Sequence, residues 1–94
     1  MKQMHQTKSF ALGCIVMTAA VADQIERADI QVALRRHARC DWGTVCPEDA
    51  QQNELALRQG ERLLSVYADR HDTCFYIITD ADRSVTTVLL PSDY

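Results

Sequence analysis

The spacing of apolar residues changes several times along this chain. Phe10 to Met17 is mostly apolar and includes the β-branched Ile15 and Val16, which predicts a strand. Thr18 stands where a helix N-cap belongs, since its hydroxyl can accept a free amide of the first turn. Ala19 to Arg27 then reads as a short helix with Val21, Ile25 and Ala28 on one stripe. The stripe changes phase near Asp29. Ile30, Ala33, Leu34, His37 and Ala38 resume helical spacing, which predicts a second helix capped by Asp29, or one continuous bent helix. Cys40-Asp41-Trp42-Gly43 ends it and turns the chain. Pro47 suits the first position of a third helix, Glu48 and Asp49 suit its first turn, and Gly60 suits the residue after its end at about Gln59. The apolar face of that helix is thin, and Asn53 lies on it, where a half-buried amide needs partners.

From Arg62 the period becomes two. Leu63, Ser65 and Tyr67 alternate with Leu64, Val66 and Ala68. Cys74 to Thr79 is nearly all apolar, as in a central strand, and Ser84 to Leu90 is a third strand stopped by Pro91. The turns between them, Asp69 to Thr73 and Asp80 to Arg83, are short and favour an antiparallel meander. The expected fold is α+β in two layers. A four-stranded, mainly antiparallel sheet carries about three helices on one face, in the order β-α-α-α-β-β-β. Residues 1–94 form a single small domain in this reading, with residues 1–8 as a flexible tail.

Composition narrows the class of protein. Of 94 residues 47% are hydrophobic and 24% charged, the balance of a globular fold, and three glycines and two prolines leave no linker-like stretch. A net charge of -3 is not the basic footprint of a nucleic-acid binder. The charge is split, +2 over residues 1–46 and -5 over residues 47–94. The start of the chain imitates a secretory leader, with Ala20-Val21-Ala22 as a cleavage-like site. Its apolar run is too short to span a bilayer, and cleavage there would leave three cysteines, Cys40, Cys46 and Cys74, an odd number for an oxidising compartment. A cytoplasmic protein is expected, with no membrane partner.

Four groups of residues have chemical potential. His37, Cys40, Cys46, His71 and Cys74 repeat a His-x-x-Cys spacing that could supply zinc ligands, but without the paired Cys-x-x-Cys of ribbons and knuckles. Buried thiols and a structural histidine are the plainer reading. Cys40 or Cys46 could act as a nucleophile if Arg39 and His37 lower its pKa. Asp80, Asp82 and Arg83 form an acidic turn that could hold Mg²⁺ or a partner, though aspartate also builds turns by itself. Arg35, Arg36 and Arg39 could meet phosphates, or simply complement a helix C-terminus. Trp42 could anchor a partner or plug a core edge. No glycine-rich nucleotide loop is present, and no cofactor is expected.

A longer pattern runs through these residues. It comprises Gly13 and Thr18, His37 with Asp41-Trp42-Gly43, and Asp49, Asn53 and Glu54. It continues with Gly60, Arg62-Leu63-Leu64-Ser65 and Tyr67, and closes with Ile77 to Pro91 and Tyr94. This resembles a family of small bacterial proteins of plasmids, integrative elements and phages, often labelled "plasmid-related protein". Some members are labelled "type I restriction endonuclease subunit M", but this chain is too short for a methyltransferase domain. It departs from the family at Phe75-Tyr76, where a Trp is expected, and at His71-Asp72, where Asp-Gly is usual. The resemblance implies a cytoplasmic protein encoded by a mobile element and no established activity. The expected function is binding of another macromolecule, most concretely a protein of a host defence system, by a monomer or small homo-oligomer. The expected surface joins Asp41 and Trp42 to the turn of Asp80, Asp82 and Arg83. The first alternative is a nucleic-acid-associated regulator acting through Arg35, Arg36 and Arg39. The second is a small enzyme using Cys, His or Asp.

Overall fold

A computed structural model describes residues 8–94. Of the tail expected over residues 1–8, all but Lys8 lies outside the described residues; Lys8 itself is held, its Nζ 2.5 Å from Glu54 Oε1. The elements are β1 (Cys14–Met17), α1 (Ala19–Gln24), α2 (Arg27–Ala38), α3 (Pro47–Gln59), β2 (Leu63–Ala68), β3 (Cys74–Thr79) and β4 (Val85–Leu89), followed by a 3-10 turn at Pro91–Asp93. They form the expected α+β fold. The sheet is mixed, in the order β1-β4-β3-β2: β2, β3 and β4 are an antiparallel meander, and β1 joins β4 in parallel. No helix among the described residues is long and apolar enough to cross a membrane.

Strand register decides which side chains meet the helices. Leu63 pairs with Thr79 and Thr79 with Thr86, while Ile15 and Met17 pair with Thr86 and Val88. These residues therefore share one face with Tyr67, Phe75 and Ile77. Val21, Ile25, Ile30 and Ala33 of the helical layer pack on that face. Phe75, Ile77 and Val88 are almost completely enclosed, each contributing about 2 kcal/mol by burial. A smaller cluster of Trp42, Ala56 and Leu63 sits at the β2 side, with Phe10 and Leu57 against it.

Three boundaries differ from the sequence expectation. The first strand covers Cys14–Met17 rather than starting at Phe10. Gly13 turns the chain with φ +66°, where a Cβ would lie 2.4 Å from the Ser84 carbonyl oxygen, so residues before it leave the sheet. Phe10 instead bonds the end of α2, its amide 3.2 Å from the Ala38 carbonyl. Thr18 does cap α1, accepting the Val21 amide at 3.2 Å, but the helix stops at Gln24. Ile25 turns extended to enter the core, so α2 starts at Arg27, with Glu26 as its N-cap, and not behind Asp29. Asp29 lies inside the first turn of α2, and its carboxylate receives Arg70 through three hydrogen bonds of 2.9–3.1 Å. The turn before β3 places Asp72 at φ 65°, the left-handed region that the glycine implied by the resemblance would occupy freely.

Candidate functional site

The expected binding surface is brought together but largely used up by the fold. Trp42 is only 6% exposed, its ring stacks on Phe10 at 6.1 Å, and its indole N–H donates to Glu54 Oε2 at 3.0 Å. It presents no indole face to a partner. Phe10 also links Trp42 to the acidic turn, because the Arg83 guanidinium lies 5.7 Å from its ring centre. Arg83 donates to the carbonyls of Glu61, Asp80 and Ala81 at 2.7–3.2 Å and of Ala56 at 3.3 Å, which ties its own turn to the end of α3 and the segment that follows it. Asp82 accepts from the amide and hydroxyl of Ser84, so it builds the turn; those bonds hold its carboxyl below the usual range. Asp41 is exposed but already bonded to Arg36 at 2.8 Å, which lowers its carboxyl in the same way. Asp80 is exposed.

The other groups are dispersed. The described residues contain no cluster of three or more His, Cys, Asp or Glu able to hold a metal, so the two His-x-x-Cys units do not meet. Cys40 is half-buried, and burial raises its thiol pKa, with Glu54 adding to the rise. For Cys40 the shift is therefore opposite to the lowering by Arg39 and His37 that a nucleophile would need. Cys46 occupies the N-cap position of α3 without making a side-chain cap, and it is exposed like Cys14 and Cys74. His71 lies exposed in the β2–β3 turn. Arg36 is held by Asp41 and covers the Tyr67 ring at 4.8 Å, whereas Arg35 lies in a groove on another side of α2. Arg39 is the C-cap residue of α2, a helical neighbour of both, and of the three only Arg36 is ion-paired among the described residues.

His37 is the centre of a buried polar chain. Its Nδ1 lies 2.5 Å from Ser65 Oγ and its Nε2 2.9 Å from Thr79 Oγ1. Thr79 continues to Thr86 at 2.7 Å, and Thr86 donates to the Leu12 carbonyl at 2.6 Å. Each hydroxyl has one proton, so the directions follow from the carbonyl backwards. Thr86 gives its proton to Leu12, Thr79 gives to Thr86, and His37 gives its Nε2–H to Thr79. Nδ1 is left to accept from Ser65. This neutral tautomer bonds α2 to β2, β3, β4 and the segment before β1. Burial, with the Arg83 charge, depresses the His37 pKa to about 4. The serine–histidine contact has the look of a nucleophile and its base, but both side chains are fully enclosed. The pair is structural.

The two edges of the sheet are treated very differently. At β2 the outward backbone groups of Leu64 and Val66 are taken. Asn53 donates to the Leu64 carbonyl at 2.7 Å and accepts its amide at 3.2 Å. Val66 donates to the Trp42 carbonyl at 3.1 Å and accepts the Thr44 amide at 2.9 Å. At β1 the amides of Cys14 and Thr18 donate to Ser84 and Val88 of the neighbouring strand. By strand alternation, Ile15 and Met17 turn their amides and carbonyls outward, where no strand follows among the described residues. Ile15, Val16 and Met17 are 44%, 42% and 42% exposed. Beside them opens a groove of about 490 Å³, with Ile25, Ile30 and Leu34 opposite Ile15 and Met17. A second hollow of about 440 Å³ continues it towards Leu12, Arg35 and Ala38. Sequence reasoning found the strand but not its edge position. No signal marked that position, because edges are usually blunted by charge and an uncharged run such as Cys14 to Met17 reads as an interior strand.

A scan against protein-family models, a search of curated proteins and a search of solved structures each returned no match.

Proposed function

We propose that this chain is a protein-binding module that accepts an extended segment of its partner as a fifth strand beside β1. The observation that carries this reading is the backbone edge at Ile15 and Met17, unpaired among the described residues and set against an apolar groove. Added strands gain affinity from main-chain hydrogen bonds and specificity from pockets for alternate side chains, and β1 offers both. The resemblance to plasmid-related proteins supports a mobile-element setting, with a host defence protein as the class of target. Binding without chemistry fits a chain whose serine–histidine pair is sealed and whose half-buried thiol is held protonated.

The test is a displayed library of random extended peptides selected against the full-length protein, with amide exchange of the complex as readout. Selected peptides should slow exchange at Ile15 and Met17 and should fail to bind Met17→Pro. That substitution removes an outward amide and leaves the bonds to β4 in place. Fluorescence of the single Trp42 confirms that the variant folds, and Ile15→Lys, which charges the groove, gives an independent second variant. Protection centred on Asp41 or on the Asp80 to Arg83 turn would overturn the reading, as would selecting no peptide or finding binding unchanged in both variants.

A further inference from the structure

The groove beside β1 is bounded by charge of one sign. Arg27 lines its Met17 end and Arg35 its Leu12 end, so α2 runs opposite to β1. Among the described residues neither arginine forms an ion pair, unlike Arg36 and Arg70. The apolar walls lie between them, at Ile25, Ile30 and Leu34. A second copy fits this surface poorly. Pairing two β1 edges about a two-fold axis would set Arg27 of each copy towards Arg35 of the other, which places like charges across the seam.

An acidic partner fits well. Arg27 and Arg35 are eight residues apart on one helix, a separation of about 12 Å along its axis. An extended chain advances about 3.3 Å per residue, so its same-face positions i and i+4 lie about 13 Å apart. Position i+2 falls between them on the same face. Building on the edge reading above, we infer that the segment β1 accepts is acidic, with carboxylates at i and i+4 meeting Arg27 and Arg35 and an apolar side chain at i+2 entering the groove.

The test uses three labelled synthetic peptides and fluorescence anisotropy with the full-length protein. One has the sequence Thr-Glu-Thr-Leu-Thr-Glu-Thr; the second replaces both Glu with Gln and the third with Lys. The Glu peptide should bind about tenfold more tightly than the Gln peptide at low salt, and the Lys peptide more weakly than either. The gap should narrow as salt rises. In an Arg27→Gln, Arg35→Gln double variant the preference for the Glu peptide over the Gln peptide should vanish. Equal binding of the Glu and Gln peptides would overturn the charge assignment and leave the edge reading standing. So would failure of all three peptides while a library peptide still binds in a manner blocked by Met17→Pro. Failure of every peptide, selected or synthetic, would remove both. A β1-dependent dimer that excludes peptides would put a second copy in the groove and overturn the acidic segment.

Discussion

Acidifying a solution of this protein from neutral pH loads a proton onto His37 of the unfolded chain well before the folded one accepts it. The unfolded imidazole titrates near 6.5, while enclosure at 0% exposure and the Arg83 charge bring the folded value to about 4. Above 6.5 the ring is neutral in both states and costs nothing. Between 6.5 and 4 the unfolded state binds a proton that the native state refuses, so stability falls with decreasing pH. Below 4 both states hold the proton and the loss levels off. The whole loss is about 3 kcal/mol, taking about 1.4 kcal/mol per unit of pKa difference. The assay is urea unfolding followed by Trp42 fluorescence, for the wild type and for His37→Gln. Glutamine can donate towards Thr79 and accept from Ser65 without titrating. The variant should be less stable at neutral pH, yet its deficit should shrink steadily as the pH falls from 6.5 to 4. The carboxyls of Asp29, Asp41, Glu54, Asp82 and Asp93 are all held below their usual values. They lose their stabilising effect at the acid end of the range in both proteins, so the difference between the curves isolates His37. Parallel curves across the range would refute the assignment of a buried neutral ring.

Gly43→Ala should destabilise by about 3 kcal/mol in the same urea assay, because a Cβ there would stand 1.9 Å from the Val66 carbonyl oxygen at φ +77°. Arg83→Leu should cost about 2 kcal/mol by stripping a donor from the carbonyls of Ala56, Glu61, Asp80 and Ala81, and Arg83→Lys should recover only part, since an ammonium cannot fan across four carbonyls. Timed alkylation by iodoacetamide with peptide mass spectrometry should label Cys14, Cys46 and Cys74 first and Cys40 last; early labelling of Cys40 would restore the nucleophile reading.

Much of the fold is legible in the sequence where local rules act alone. Pro47 and Gly60 bracket α3 because one lacks an amide that a first turn does not need and the other adopts φ 71° without strain. Alternation in Leu63 to Ala68 identifies the buried face of β2, and Asn53 finds the partners its place on a thin apolar face demands. The failures are tertiary. Asp29 has the chemistry of a cap, but Ile25 must reach the core, which moves the break upstream and leaves Asp29 for Arg70, 41 residues away. For Trp42 the sequence leaves an anchor and a plug of a core edge both open, and only Phe10 folded across it decides for the plug. Arg27 and Arg35 have no common motif; only the place of β1 at the sheet edge turns their spacing into a binding argument.

The closed edge gives the open one its meaning. β2 is covered by devices drawn from separate parts of the chain: a loop segment with a glycine at the contact, and an amide on α3 that imitates a neighbouring strand. Exposed edges are usually blunted by lysine, proline, a bulge or a covering element. Cys14 to Met17 contains no lysine or proline, pairs without a bulge, and has no strand on its outer side among the described residues. Its shortness limits indiscriminate pairing, since four residues expose only two outward pairs of backbone groups. Such an edge is weak by itself and depends on side-chain contacts to hold a fifth strand. The groove and its two flanking arginines supply those contacts, so affinity and selectivity reside in the same few residues. The backbone edge sets the partner's conformation, and α2 sets its chemistry.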